Sequence, residues 1–339
     1  MADLTTRWLG FTLRSPLVVA ACPLSNDVEA IATAVAAGAG AVVMYSLFEE
    51  QFAHEQMAAH RFLDARTDLG AEARSFLPDV DVFSLGAKPY LAQLDKLRRR
   101  VDVPILASLN GSTPGGWTDY ARQLESGGAS AIELNLYDIA TSPAQSGASI
   151  EEQQLAVVRD VVRAVTIPVT VKLSVFYCAI PAFVRRLEEA GVRGVAVFNR
   201  FHQPDVDLDT LDVDRSIVWS TPQELPLRLH ALAILAPGTA LSLACTGGVH
   251  SGRDAAKAIL CGAHVVQLAS ALLARGPACV GAIRQELDQW LDEKRYVSSA
   301  EARGVLALGS TPDAHAWERL NYARVLDGWK PKTPWRQIS

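Results

Sequence analysis

Along this chain, helical periodicity repeatedly gives way to short runs in which every position is apolar. A helical segment ends in a small residue plus Gly, and an unbroken apolar run follows at once. The instances are AVAAGAGAVVMYS (34–46), LESGGASAIELNL (124–136), LEEAGVRGVAVFN (187–199) and ILCGAHVVQLAS (259–270). Gly at that point suits a helix C-cap, which needs positive φ. A run of β-branched and small apolar residues without polar alternation predicts a strand covered on both faces. A second pattern alternates with the first: VDVPILASLN (101–110), VTIPVTVKLS (165–174) and, more loosely, LAPGTALSLAC (235–245), where Pro or Pro-Gly punctuates the approach to a strand. With PLVVAAC (16–22), eight strands are predicted, near 16–22, 41–46, 105–110, 131–136, 169–174, 194–199, 240–245 and 265–270.

Eight alternating β and α units predict an α/β fold, a (β/α)8 TIM barrel formed by residues 1–339 as one domain. A doubly wound open sheet is the competing architecture. Its Gly-rich turn after the first strand is missing, and ACPLSN stands there instead. Two connections are longer than a bare unit needs. Residues 47–85, after the second strand, are rich in charge, His and Gln, and residues 200–222, after the sixth, are rich in Asp and Pro. Both leave the C-terminal end of a strand, where barrel enzymes keep their sites, so lids or substrate walls are expected there. The tail, 300–339, ends in WKPKTPWRQIS and is expected to pack on the barrel or on an interface.

Composition narrows the function. Hydrophobic residues make up 49% of the 339, enough for a sizeable core, and the net charge of −5 with no long basic block argues against nucleic acid. No apolar run approaches the about 20 residues that cross a bilayer. MADLTTRWLG lacks the pattern of a signal peptide, so the expected location is cytoplasmic. Cys22, Cys178, Cys245, Cys261 and Cys279 are scattered without a CxxC, which argues against disulfides and a Cys-ligated metal. Cys178 reads as a buried structural thiol. The seven histidines form no HExxH, and His54 and His60 read as an exposed helical face, so no metal is expected.

The most informative segment is ACTGGVHSGRDAAKAILCGAHVVQLASALL, 244–273. The seventh strand ends in Thr246-Gly247-Gly248, whose glycines allow close approach to a ligand. The eighth ends in Ala269-Ser270 and a helical start, whose N–H groups suit an anion. Together they predict a phosphate site. Polar residues close the other strands: Asn110, Asn135, Lys172 and Asn199. A Lys inside VTVKLS needs an anionic partner, because an unpaired buried ammonium is costly. A flavin's N1/O2 region would serve. A snorkelling surface Lys fits so apolar a strand poorly.

These residues resemble the dihydroorotate dehydrogenase family, FMN-dependent (β/α)8 barrels, and more the soluble class 1 branch than the membrane-anchored class 2. The similarity runs from SPLVVAACPLS (15–25) to VVQLASALL (265–273). The resemblance implies FMN contacts from the loop after the first strand at Ala20 and Ala21, from Asn135 in the motif Glu133-Leu134-Asn135, from Lys172, and from Gly247, Gly248, Ala269 and Ser270. Asn110 and Tyr45 stand where flavin contacts are also expected. Asn135 and Asn199 match substrate contacts, and Arg200 could add a charge. A homodimer is an expectation of the same kind. The electron acceptor stays open, and an NAD-linked form would need a separate iron–sulfur subunit.

The departures concern the substrate side. Where the family has Lys-Ser after the second strand, Tyr45-Ser46 stands, followed by LFEEQFAHEQ. Phe83 replaces an Asn. Where the family's loop after ELN carries a Cys or Ser base flanked by Pro and Asn, this chain reads Tyr137, Asp138, Ile139 and Ala140. Asp138 is therefore a candidate base, with a turn or N-cap role as the alternative. Ser46 and Ser142 are alternative hydroxyls. The leading expectation is an FMN oxidoreductase acting on dihydroorotate, a related cyclic amide or a conjugated alkene. The alternatives are a non-redox phosphate-binding isomerase or lyase, with Lys172 forming a Schiff base, and an FMN-binding protein without turnover.

Overall fold

A computed structural model describes residues 2–48, 88–110, 117–200, 204–214, 218–313 and 315–328. The chain opens with a hairpin of β1 (Thr6–Trp8) and β2 (Phe11–Leu13), turning through Leu9 and Gly10, both with positive φ. The strands β3 (Leu17–Val19), β4 (Ala41–Phe48), β5 (Ile105–Asn110), β6 (Ala131–Leu136), β7 (Val169–Leu173) and β8 (Gly194–Val197) follow. A second hairpin, β9 (Asp205–Asp207) with β10 (Asp212–Asp214), leaves the end of β8. The strands β11 (Ser242–Thr246) and β12 (Val265–Leu268) complete the sheet. The strands from β3 to β8 pair in parallel with β11 and β12 in a closed eight-stranded barrel, with helices between them. The predicted α/β barrel is the observed fold, and the open sheet is excluded.

Both hairpins escaped the sequence reading, because three-residue strands are too short to carry a pattern. Several barrel strands stop before their predicted ends: Ala20–Cys22, Phe198–Asn199 and Ala269 belong to the loops, and Ser270 begins the helix Ser270–Arg275. Of the long segment 47–85, only Leu47 and Phe48 lie within the described residues. Phe83, His54, His60 and WKPKTPWRQIS lie outside them.

Alternate residues on each strand face in and out. The outward set, including Val19, Leu134, Val171, Val195 and Leu268, packs against the surrounding helices as the main core. The inward set is layered. At the N-terminal end, Val18, Ala41, Val43, Leu106, Ala131, Ala196, Ala244 and Val265 form an apolar plug. Trp8, Leu9 and Leu13 of the first hairpin close it from below. Above the plug several strands turn polar residues inward, with Ser108, Glu133, Thr170, Lys172 and Gln267 all buried. Carrying them is costly unless they are paired, so the polar layer marks the working end of the barrel.

The described part of the tail packs on the outside of the barrel. Gly304 and Leu306 donate backbone hydrogen bonds to Ile259 and Leu260, and Leu308 donates to Ala233. Trp317 Nε1 donates to the Leu306 carbonyl at 2.8 Å. No helix among the described residues is long and apolar enough to cross a membrane.

Candidate active site

Lys172 and Glu133 lie on adjacent strands. The ladder sets Asn135 opposite Lys172 and Thr170 opposite Glu133, so Glu133 is the diagonal same-face neighbour of the lysine. Lys172 Nζ donates to Glu133 Oε1 at 2.8 Å, and Gln267 Nε2 donates to Glu133 Oε2 at 2.8 Å. The sequence reading assigned the lysine's negative partner to a bound ligand. The protein supplies one itself, because the inward face of β6 carries a carboxylate one step below Asn135. Gln267 Oε1, Asn135 Oδ1 and Thr170 Oγ1 are buried with no hydrogen-bond partner among the described residues.

A second cluster joins the second, third and fourth barrel strands. Asn135 Nδ2 donates to Ser46 Oγ at 2.8 Å and to Ser108 Oγ at 3.0 Å, and the two serine hydroxyls are 2.8 Å apart. Ser46 takes its place after a register shift between Val43 and Ser46. The buried Tyr90 hydroxyl accepts from Ser108 N–H at 2.9 Å, and the Tyr45 ring meets Tyr90 edge-on with centroids 4.9 Å apart. Burial pushes both phenols above their usual range. Asn110 ends β5 opposite Asn135 in the ladder.

Beside these clusters lies a cavity of about 110 Å³ at the mouth. Lys172 and Gln267 form its inner end, with Ala20 and Ala21 on one side. Asn199 and Arg200 line another side, and Gly247, Gly248, Ala269 and Ser270 line the phosphate-like end. Gly247 and Gly248 adopt φ of +89° and +79°. A Cβ on Gly247 would meet Arg228 Nη2 at 3.1 Å, and one on Gly248 would lie 2.7 Å from the Leu225 nitrogen. The conformation calls for glycine at both positions, and at Gly248 the space does as well.

Arg228, Ser220 and Glu224 were missed by the sequence reading. Arg228 is buried behind the glycine pair, donating through Nε to the Thr246 carbonyl at 3.2 Å and through Nη1 to the Glu224 carbonyl at 2.8 Å. Burial draws its pKa down, against the pull of Glu224. A lone Arg within LPLRLHALAIL was a usable signal; Ser220 had none. Ser220 Oγ accepts from Gly248 N–H at 3.1 Å and donates to Ser270 Oγ at 2.9 Å. Arg200 Nη2 stands 3.7 Å from Glu224 Oε1, while Arg200 Nε is buried and unpartnered among the described residues.

Asp138 and Cys178 lie elsewhere. Asp138 Oδ2 accepts from Gln154 Nε2 at 2.6 Å, on the helix Gly147–Ala164. Both residues line a different cavity, of about 530 Å³, which among the described residues shares no lining residue with the cavity at the mouth. Cys178 is exposed, correcting the buried thiol expected from sequence, because it falls in the loop after β7 rather than on a packed face. The exposed Ser142 spends its hydroxyl on a turn, accepting from Ala144 N–H at 3.3 Å. All five cysteines are free, and no metal-binding cluster occurs among the described residues.

The family model for dihydroorotate dehydrogenase matches residues 3–291. The chain belongs to the dihydroorotate dehydrogenase family. A putative dihydroorotate dehydrogenase A (fumarate) from Aeropyrum pernix is 32% identical over 197 residues, 56% of this chain and 63% of that protein. The catalytic subunit of dihydroorotate dehydrogenase B (NAD(+)) from Endomicrobium trichonymphae is 26% identical over 305 residues, 87% of this chain and 94% of that one. Dihydroorotate dehydrogenase A (fumarate) from Lacticaseibacillus paracasei is 31% identical over 202 residues, 57% of this chain and 67% of its own. Dihydroorotate dehydrogenases are FMN-dependent flavoproteins that oxidise or reduce CH–CH groups.

The residues present fit that cofactor. Two buried polar atoms towards the C-terminal ends of the strands, on Gln267 and Asn135, lack partners among the described residues, which is costly unless a ligand supplies them. Two left-handed glycines follow the adjoining strand, and the second, Gly248, has no room for a Cβ. A dihydroorotate dehydrogenase-like oxidoreductase accounts for both features, and a non-redox isomerase or lyase is not favoured. Lys172, already committed to Glu133, is also a poor Schiff-base candidate.

Proposed function

We propose that this chain is an FMN-dependent oxidoreductase acting on the CH–CH bond of a neutral cyclic amide or carbonyl-conjugated alkene, with its proton transfer at Ser46. The reading rests on one observation: the Glu133–Lys172–Gln267 network ends beside the hydroxyls of Ser46 and Ser108, with unpaired acceptors on Gln267 and Asn135. Gly247, Gly248, Ala269 and Ser270 would hold the phosphate. Lys172, Gln267 and Asn135 would hold the ring system, with Ala20, Ala21, Tyr45 and Asn110 beside them. Bound FMN would supply hydride transfer, which no side chain offers.

The chain's own residues divide the remaining work. Glu133 fixes the Lys172 ammonium, so a positive charge is held at the mouth without reorganisation. Asn135 donates to both serines, which leaves their hydroxyl protons to bond to each other or to a substrate. Ser46 is half-buried and supports proton transfer better than Asp138, whose carboxylate bonds Gln154 in a separate cavity. Asn199 and Arg200 would orient the substrate. Arg200 shares its charge with Glu224, and Tyr45 stands where a lysine is expected, so the site offers an anionic substrate little. A cytoplasmic homodimer completes the reading, and light scattering of the purified protein tests the assembly.

The decisive experiment is purification followed by an anaerobic substrate panel. A yellow protein whose flavin is bleached faster by neutral dihydropyrimidine amides than by dihydroorotate is expected. A colourless protein that cannot be reconstituted with FMN would overturn the reading.

A further inference from the structure

The larger cavity, about 530 Å³, lies between three elements and is within the size range of small-molecule sites. Asp138, Ile139 and Ala140 of the loop after β6 form one wall. Residues of the first turns of the helix Gly147–Ala164 form the second, and the loop after β7 forms the third. We propose that this cavity is a lateral binding site for an apolar organic cation, such as an aryl amidinium or amine.

Charge selects the ligand. Among the described residues, Asp138 and Glu151 are the only charged ones lining the cavity, and no Lys, Arg or His lines it. Glu151 has a protein partner, Arg186 Nη1 at 3.3 Å, an arginine that also bonds Glu152. Asp138 has no cationic partner among the described residues, and its bond to Gln154 is to a neutral amide. The N-terminus of the helix Gly147–Ala164 works in the opposite sense. Its dipole is worth about half a positive charge. That is less than the full charge of Asp138 alone, so the cavity favours a cation.

The carboxylate is also held in place. Tyr177 Oη donates to Gln154 Oε1 at 2.9 Å, which turns the amide's Nε2 towards Asp138. Burial raises the Tyr177 pKa, so this hydroxyl keeps its proton and its donor role. The Tyr177 ring stacks on Phe183 with centroids 4.7 Å apart. The chain from Phe183 to Asp138 is thus fixed before a ligand arrives, which lowers the ordering cost of binding.

The walls supply the apolar contact. Ile139 and Phe176 are 56% and 57% exposed, large apolar side chains kept at the surface of a concave site. Ala140, Ala148 and Ile150 continue the same surface.

The test uses three probes with one ring and three charges: benzamidine, benzamide and benzoate. Each is titrated into the protein as purified, with binding followed by calorimetry and ligand-observed NMR. Benzamidine is expected to bind at least ten-fold more tightly than benzoate, with benzamide between them. Asp138→Asn should weaken benzamidine at least ten-fold and leave benzamide unchanged. Ala148→Trp, which fills the cavity from its helical wall, should abolish binding of both. Each variant's visible spectrum and unfolding midpoint show that it is folded. Absent benzamidine binding, equal binding of benzoate, or binding that survives both substitutions would overturn the proposal. The site does not rest on the flavin reading: a colourless protein would sink that reading and could still be titrated here.

Discussion

Lys172 and Glu133 form an ion pair inside the barrel, Nζ to Oε1 at 2.8 Å, with side-chain exposures of 8% and 0%. A pair so buried is held by mutual need, since either charge alone would be stranded in a low-dielectric interior. Glu133→Gln keeps the shape and removes one charge. It should destabilise the protein by about 3–5 kcal/mol, the usual cost of breaking one partner of such a pair. Urea denaturation measures it, and the double variant Glu133→Gln/Lys172→Met should recover most of the loss. Equal stability of single variant and parent would show that Lys172 does not depend on the carboxylate.

The same pair bears on the flavin. Lys172→Met removes positive charge at the mouth and should lower the flavin's reduction potential. Glu133→Gln removes the opposing negative charge and should raise it. A shift of about 30 mV corresponds to a ten-fold change in a two-electron equilibrium. Dye-coupled titration of both variants reads the two signs. Shifts in the same direction would place the pair too far from the flavin to act through charge.

Much of the barrel was legible because strands buried on both faces leave unbroken apolar runs. The glycine pair was legible because few residues other than Gly tolerate positive φ at a crowded turn. The Glu133–Lys172 bond was not, since the two residues are 39 positions apart and meet only through strand register. Asp138 stood at a suggestive place in its loop, but the direction of its side chain depends on Gln154, whose burial on a helix no loop motif reports. Arg228 was readable as a lone cation on an apolar helix and was passed over.

Gly248 gives a sharper test of the phosphate end. Its φ is +79°, and an added Cβ would lie 2.7 Å from the Leu225 backbone nitrogen. Gly248→Ala should cost about 1–3 kcal/mol at that turn and weaken FMN binding at least ten-fold. Quenching of FMN fluorescence on reconstitution gives the affinity. Gly147→Ala is the control, since no described residue lies within 4 Å of its added Cβ. Equal losses in both variants would mean that the loop's shape does not hold the cofactor.

His264 sets an acid limit on stability. Burial, helped by the Arg303 charge, pushes its pKa down from 6.5 to about 4. Its Nδ1 accepts from Leu243 N–H at 3.0 Å, a role that protonation would end. In the unfolded chain the imidazole titrates near 6.5, so below that pH the unfolded state binds a proton that the folded state refuses. The stabilisation is present above pH 6.5 and falls away between pH 6.5 and about 4. A depression of that size is worth about 3 kcal/mol at one pKa unit per 1.36 kcal/mol. His264→Asn retains an acceptor without the titration. Its unfolding free energy should lose that part of the slope between pH 4 and 6.5, and an unchanged slope would assign the acid limit to other groups.

Ser46 and Asp138 separate two accounts of proton transfer. Ser46 Oγ accepts from Asn135 Nδ2 at 2.8 Å within the polar layer at the mouth, whereas Asp138 lines the separate cavity beside it. Removal of a general acid or base slows its step by about 10²–10⁴-fold. Ser46→Ala should slow flavin reduction by the best substrate within that range, while leaving FMN content unchanged. Asp138→Asn should slow the same half-reaction less than ten-fold. Stopped-flow absorbance under anaerobic conditions reads both rates directly, free of the acceptor's step. A large effect from Asp138→Asn and none from Ser46→Ala would return the base to the loop after β6. Its carboxylate would then have to leave Gln154 and turn towards the mouth during turnover.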